Sequence, residues 1–561
     1  MKIRNLITRN KSLGWKNLRL TAELKKREYF FPATVFFVVF WFQWLPSLTP
    51  TRTMPGDTGD NRFNLLMLEH GFQVINGNAS LFNPTFFFPF KFVGGFSDLF
   101  VGSLPAYAIP RFLGFGMFIS MQFWVVVGLL LNYVTCYFVA RRLKLAYFPA
   151  TVASLVFTFG LPTFSQQGHL QLLWRFGIPL CTYYLVQILE KVTLYKCVLL
   201  VGFISHTFLC NVYSGSFNLI WLSVLAFFIK ISKSEVLKFD FVPEKKNRFL
   251  LLFSLICVSL FLYVYWFYWI TQKTFGIQRP ISEMLYFSPR PTSWYSSYTS
   301  TIWSPITRLI PQNDGYWENQ LFIGIGSTAL LLFFLKKLFT GEATALEKLL
   351  SKTTITLVIA VTVSGHLSLF MITHFIPGLS AMRVPGRIIL VLLFPIGILV
   401  AAGLSAIPKE QFRRVLVLIL FASDLLFTNS YQSTIAEWNE RPQLLISRNA
   451  EAMKEYPRAV PIFLPKEGEE WNSKNVLDGM YAASVLGKPT LNGYSGFTPI
   501  WSPTPANCEG VYSWLNANRA SLTMKTKVNN DLFEKQILSM NESSFCLIDL
   551  PSNKIIVKRN Y

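Results

Sequence analysis

The sequence predicts an all-α polytopic membrane protein of about eleven transmembrane helices, with a small C-terminal extracytoplasmic α/β domain. Three observations predict it. Of 561 residues, 52% are hydrophobic and 16% aromatic, 53 of them Phe, while only 15% are charged; the mean hydropathy is +0.38. The apolar residues come in runs long enough to cross ~30 Å of hydrocarbon. The formal net charge of +22 is concentrated near the N-terminus and in short clusters between those runs, as in cytoplasmic loops facing anionic lipid. That distribution excludes nucleic acid as the expected partner and makes membrane lipid the expected surroundings.

Residues 1–28 carry Lys2, Arg4, Arg9, Lys11, Lys16, Arg19, Lys25, Lys26 and Arg27, which predicts a basic cytoplasmic N-terminal segment. The apolar run from Tyr29 to Leu48 is too long for a signal-peptide core, so it is read as the first span. It delivers an external loop, residues 49–114, whose stretch Asp98 to Gly114 is interrupted by Pro105 and Pro110 and reads as re-entrant or interfacial. The next runs are Phe115 to Ala140, Leu145 to Pro162, His169 to Leu189, Cys197 to Asn211 and Phe217 to Ile231. After a basic loop, Phe249 to Ile270 leads out to a polar, aromatic stretch, Thr271 to Asn319. Leu321 to Leu335, Thr353 to Thr373, Ile388 to Ile407 and Val415 to Tyr431 complete the series. Every predicted inner loop is basic, which places the N-terminus in the cytoplasm of a cell whose inner (plasma) membrane holds residues 29–431.

Residues 432–561 have ordinary polarity, with Trp438, Trp471, Trp501 and Trp514 and short β-like runs at Val460 to Leu464 and Phe545 to Ile548. They predict a domain lying outside, over the mouth of the bundle. Of the seven cysteines, Cys508 and Cys546 fall in this domain; a disulfide and two free thiols both fit.

The densest polar stretch in the chain is Met54-Pro-Gly-Asp57-Thr-Gly-Asp60-Asn-Arg62, followed by Glu69-His70. Charges gathered so closely in a chain poor in them point to chemistry. The stretch predicts a turn and then a helix capped by Asp60, with both carboxylates at its positive end, where a divalent cation could join them. A plain turn with a helix cap is the alternative.

The predicted topology puts His169, Gln171, Asn211, Tyr213, Arg279, Arg290, Asp314, His374, Arg383 and Arg387 on the same side as Asp57, Asp60, Glu69 and His70. Arg383 and Arg387, four residues apart, could aim two guanidinium forks at one phosphate beside the membrane; contact with lipid headgroups or a neighbouring carboxylate is the alternative. A phosphate at headgroup level attached to a tail in the bilayer would join these features. No Walker loop, dinucleotide fingerprint, Cys-rich metal motif or nucleophile elbow occurs.

The G-D-x-G-D-x-R-F run, Gly168-His-Leu-Gln171, Arg383-Val-Pro-Gly-Arg387, Ala422-Ser-Asp424 and Asn492-Gly-Tyr-Ser-Gly496 resemble the GT-C superfamily of integral-membrane glycosyltransferases, especially the bacterial YfhO-like branch. The resemblance implies transfer of a sugar from a polyprenyl-phosphate donor to a glycan, lipid or protein acceptor on the non-cytoplasmic face. It also implies an acidic base in the first external loop: Asp57 first, with Asp60 as the second choice or a metal ligand. Arg62, Glu69, His70, His169, Gln171, Arg383 and Arg387 are then the expected substrate-binding residues. Either no cofactor or a divalent cation, Mg2+ or Mn2+, held by Asp57 and Asp60 fits. A transporter or flippase of a lipid-linked glycan is the rival reading, and a membrane anchor displaying the tail is a third; a transporter would place its ionisable residues near mid-membrane rather than at the ends of spans.

Overall fold

A computed structural model describes residues 28–88, 90–232, 247–312, 315–363, 368–376, 379–380, 382–455, 462–463, 473–497, 545–549 and 554–558. The basic segment before Glu28, Asp314, Trp471, Trp501, Cys508 and Trp514 lie outside the described residues.

Every apolar run named above contains a helix. In chain order these are α1 (Glu28–Gln43), then strand β1 (Thr53–Pro55), α2 (Asp60–Ile75), α3 (Leu104–Phe112), α4 (Met117–Arg142), α5 (Tyr147–Phe159), α6 (Leu161–Phe164), α7 (Gly177–Glu190), α8 (Leu194–Cys210) and α9 (Val212–Ile231). The chain continues through α10 (Arg248–Phe275), α11 (Ile281–Tyr286), α12 (Ser304–Thr307), α13 (Ile325–Phe339), α14 (Ala345–Val361), α15 (Ile389–Ser405) and α16 (Glu410–Leu420). Among the described residues, six helical stretches are long and apolar enough to cross a membrane: Met117–Arg142, Tyr147–Phe164, Leu170–Glu190, Val212–Ile231, Arg248–Phe275 and Pro385–Ser405.

The most central of these is α15, packed against α5, α13 and α14. Its glycines permit the close approach: a Cβ at Gly397 would sit 2.6 Å from the Ala153 carbonyl oxygen, and one at Gly403 would sit 2.0 Å from that of Leu330. By contrast α10 turns Leu262, Trp266 and Trp269 outward, and α1 and α4 likewise expose Phe37, Trp41, Phe123 and Val134. A hydrocarbon environment is the one in which such a surface costs nothing.

Three local expectations change. The run Thr353 to Thr373 is not one helix: α14 starts earlier, at Ala345, because Thr344 and Glu347 form a reciprocal capping box with N–H to oxygen distances of 3.2 and 2.8 Å, and it ends at Val361. The last run starts at Glu410 and loosens into a wide turn over Phe421–Leu426. Asp60 is not the cap of α2 but its first residue, with Gly59 in the cap position; the Gly59 N–H instead donates to Asp57 Oδ1 at 2.9 Å.

After the last helix, β2 (Gln432–Thr434) returns to the first loop and pairs antiparallel with β1, Thr53 opposite Thr434. It leads to α17 (Ile435–Glu455), β3 (Ile462–Phe463), α18 (Ser473–Val485), β4 (Phe545–Asp549) and β5 (Lys554–Lys558). β4 lies between β3, parallel to it, and β5, antiparallel. Each of the two β-like runs of the sequence therefore contains a strand, Ile462–Phe463 in the first and Phe545–Asp549 reaching through the second.

Helix ends carry ion pairs, Glu28 with Arg141 at 2.5 Å and Lys337 with Glu347 at 2.8 Å. The cluster described next is built from the segments that follow α1 and precede α15.

Candidate active site

The cluster is built on the turn before α2. Gly56 has φ +76°, and a Cβ there would meet Asn61 Nδ2 at 2.0 Å and the Gln167 carbonyl oxygen at 2.5 Å. Only glycine lets the turn close so tightly. The space is used by Asn61, buried, whose Nδ2 donates to the carbonyls of Pro55 at 3.0 Å and Gln167 at 2.6 Å, while its Oδ1 accepts the Leu170 N–H at 3.1 Å. One turn along, Asn64 Nδ2 donates to Gln171 Oε1 at 2.6 Å. These bonds stitch the start of α2 to the Gly168-His-Leu-Gln171 turn and bring His169 beside Asp60.

From there a chain of alternating charge runs inward. His169 Nδ1 is 2.9 Å from Asp60 Oδ2, and its Nε2 is 3.1 Å from Glu318 Oε1. Glu318 in turn grips Arg387 in a two-point contact, Nε to Oε2 at 3.1 Å and Nη2 to Oε1 at 2.8 Å. The Arg387 guanidinium lies 4.9 Å from the centre of the Tyr213 ring, and the Tyr213 hydroxyl accepts the Arg383 backbone N–H at 3.2 Å. One tyrosine thus supports both arginines. Its own helix start is fixed by Asp98, which accepts from the Val212 N–H at 2.8 Å and Asn211 Nδ2 at 3.1 Å.

The electrostatics follow from this order. Burial pushes the Asp60 carboxyl up, but the hydrogen bond and charge of His169, then Tyr494 and Arg387, hold it at about 2. Burial and the neighbouring Arg387 oppose a proton on His169; Glu318 and Asp60 overcome them, so the imidazole holds its proton more tightly than usual. Burial also acts against the Glu318 carboxylate, and Arg387 and His169 more than offset it. An imidazolium between two carboxylates, closed by a guanidinium, is the arrangement that favours all four charges. Asp98, buried, goes the other way: desolvation raises it to about 6 against the pull of the Val212 N–H and Arg387.

Asp57 stands apart from that chain, half-buried, with Oδ2 accepting from the Tyr431 hydroxyl at 3.0 Å. Arg383 is also freer than Arg387: a third of its side chain is exposed, and its ion-pair contact with Glu283 is 3.5 Å long. The first loop therefore offers one carboxylate inside the charged chain and one outside it that accepts from the neutral Gly59 N–H and Tyr431 hydroxyl, and the Arg383 turn one buried and one part-exposed guanidinium.

No family model matches the sequence, and no curated protein matches it. Among solved structures the chain is similar to the mycobacterial arabinofuranosyltransferase AftD, determined by single-particle cryo-electron microscopy, at 14% identity and a TM-score of 0.46. The match covers 79% of this chain and 30% of that one, so the chain spans less than a third of that protein. At that level of likeness the activity has to be argued from the residues.

The other expected site residues are placed elsewhere. Arg62 is fully buried and paired with Asp478, and its Nη2 also donates to the carbonyls of Glu437 at 3.1 Å and Trp438 at 2.6 Å. It fastens the late segment to α2. Glu69 accepts from the Tyr107 hydroxyl at 2.6 Å and from Arg111 at 3.0 and 3.1 Å, and His70 Nε2 is 3.1 Å from the Leu81 carbonyl oxygen. Both belong to the far half of α2. Gln171 acts through Asn64 as described.

Glu318 and Tyr431 were not picked out by sequence reasoning, and Tyr494, whose hydroxyl donates to Asp60 Oδ1, entered it only as part of the Asn492-Gly-Tyr-Ser-Gly496 run. For Glu318 a signal existed, a lone carboxylate in Tyr316-Trp-Glu-Asn-Gln320 directly ahead of an apolar run.

Among the described residues no group of three His, Cys, Asp or Glu side chains is arranged to hold a metal. Asp60 spends its oxygens on His169 and Tyr494, and Asp57 spends its own on Gly59 and Tyr431.

Proposed function

We propose that the protein is a membrane glycosyltransferase that moves a sugar from a polyprenyl-phosphate donor to an acceptor hydroxyl at the extracytoplasmic face, with Asp57 as the base. The observation that carries this reading is the meeting of Asp60, three residues after Asp57 in the first loop, with His169, Glu318 and Arg387 at one end of the helix bundle, within the electrostatic reach of Arg387 on Asp60. Of the sequence motifs that resemble the GT-C superfamily, the first-loop run, Gly168–Gln171, Arg383–Arg387 and Asn492–Gly496 contribute residues there, while Asp424 instead accepts from Gly326 and Ser327 at the start of α13.

The chemistry asks little more than these groups. The acceptor O–H gives its proton to Asp57, and the acceptor oxygen bonds to the anomeric carbon. The bond from that carbon to the phosphate oxygen breaks, and its electron pair leaves with the phosphate. Arg383, the freer guanidinium, is suited to the departing phosphate at the headgroup level. Arg387, held by Glu318 in a charge-balanced chain, fixes the turn that presents Arg383. The step is written without a metal; loss of turnover on chelation, restored by Mg2+ or Mn2+, would add one supplied jointly by protein and donor phosphate. By the same reading residues 29–431 are the membrane body, of about eleven spans, and residues 432–561 lie outside, over its mouth.

Purified protein incubated with a panel of polyprenyl-phosphate sugars should release polyprenyl phosphate and form a glycosylated product. Asp57→Asn should lower turnover by about 10²–10⁴-fold, the span usual for loss of a general base, with thermal unfolding unchanged. Full turnover by Asp57→Asn overturns the assignment of the base, and failure of every lipid-linked sugar overturns the activity.

A further inference from the structure

Both first-loop carboxylates are met by a tyrosine from beyond residue 430, Tyr431 on Asp57 and Tyr494 on Asp60. Next to each tyrosine in the chain is a serine, Ser430 and Ser495, whose buried Oγ has no hydrogen-bond partner among the described residues. Gln167, 1% exposed, gives its Oε1 to the Tyr431 N–H at 2.7 Å and leaves Nε2 without a partner. Buried polar atoms are almost always paired, so three unpaired ones in residues that adjoin or bond the two tyrosines call for a ligand.

The segment that brings Tyr494 is fixed in place. The Phe87 and Phe88 N–H groups donate to the carbonyls of Asn492 at 2.9 Å and Thr490 at 3.0 Å, and the Thr490 N–H donates to the Thr85 carbonyl at 2.7 Å. A Cβ on Gly493 would lie 1.9 Å from Phe87 Cδ1, so glycine is required for this docking. Phe63 meets the Tyr494 ring edge-on at 5.7 Å, and Phe86 lies 5.8 Å from Phe63, which adds an apolar wall.

We propose that Tyr431, Ser430 and Gln167 on one side and Tyr494 and Ser495 on the other form the acceptor subsite, and that it takes the hydroxyl-bearing ring of a glycan. This rests on the transferase reading and narrows its acceptor. One serine or threonine side chain of a protein, or a single lipid alcohol, brings one hydroxyl, which Asp57 alone would occupy. A sugar ring brings several neighbouring hydroxyls, each able to donate and accept. They match two serine hydroxyls, an amide that can only donate and a carboxylate that can only accept, while the ring C–H face suits the aromatic wall.

The test uses the full chain in detergent, with methyl glycosides and short oligosaccharides, a serine-containing peptide and a long-chain alcohol as acceptors, and with the donor that the wild type uses. Saccharide binding is also titrated without donor. A glycan should be the acceptor, and Ser430→Ala and Ser495→Ala should each raise its KM about three- to tenfold, the range for one neutral hydrogen bond, with the donor KM unmoved. Binding of saccharide that weakens in both variants supports the subsite even where no donor turns over, and then the transferase reading fails alone. Transfer to peptide or alcohol but not to glycan overturns the subsite and leaves the transferase standing. An unchanged glycan KM in both variants also overturns it, and neither binding nor transfer overturns both.

Discussion

The two ends of α2 are built from the same parts and end differently. At its far end Glu69 meets a tyrosine, Tyr107, and a guanidinium, Arg111. At its start Asp60 meets a tyrosine, Tyr494, and through His169 and Glu318 a guanidinium, Arg387. Glu69 finds both partners on the neighbouring α3, and Gln73 Nε2 also donates to its Oε1 at 3.0 Å; its oxygens are fully used. Asp60 draws its direct partners, His169 and Tyr494, from two distant parts of the chain, and among the described residues polar atoms of Ser430, Ser495 and Gln167 are left unpaired. Pairing closed within two adjacent helices holds a fold together, whereas pairing that converges from afar and leaves places vacant makes a site.

The comparison breaks most visibly if both carboxylates matter equally to turnover. Asp60→Asn should cut transfer about 100-fold by discharging the His169 chain. Glu69→Gln should leave turnover per folded molecule within about twofold and cost about 3 kcal/mol of stability, as expected when one partner of a mostly buried ion pair is removed; transfer assays beside thermal unfolding separate the two. Next in size, Arg383→Ala should raise the donor KM about tenfold, the value of a charge-assisted contact, with unfolding unaffected. An unchanged donor KM would move phosphate binding away from the freer arginine.

The smallest effect is a pH dependence. Burial and Arg387 oppose the His169 proton, yet Glu318 and Asp60 raise its pKa above the ordinary 6.5. A raised pKa means stability fully present below pH 6.5 and lost as pH rises through the folded value. Asp60, lowered from 3.8 to about 2, contributes above 3.8 and loses its contribution as pH falls toward 2. The gap in Tm between wild type and His169→Gln should therefore be widest between these limits, near pH ~5 to 6, and shrink at alkaline pH. A gap constant with pH would mean that the imidazolium adds nothing.

Much of the scaffold was legible because apolar runs and basic breaks are long-range averages that survive an error of several residues. The helix starts were less so: the Thr344–Glu347 capping box decides where α14 begins, whatever the hydropathy of Thr353 onward. Within the site, Asp57, Asp60, His169, Arg383 and Arg387 stood out because charge is scarce in this chain. Glu69 and His70 stood out for the same reason, but nine residues at about 100° and 1.5 Å each put Glu69 on the opposite face from Asp60 and about 13 Å along the helix. Glu318 and Tyr494 were hidden because their meaning lies in partners more than 100 residues away: Glu318 is 149 residues from His169, and Tyr494 is 434 from Asp60.

The pairing of Thr53–Pro55 with Gln432–Thr434 has a consequence for biosynthesis. A ribosome releases the first carboxylates long before Tyr431 and Tyr494 exist. Throughout that interval the emerging polypeptide carries an unfinished centre, and translation must pass Tyr494 before the centre can close. Premature termination shortly before that residue would thus yield an inserted yet inert product.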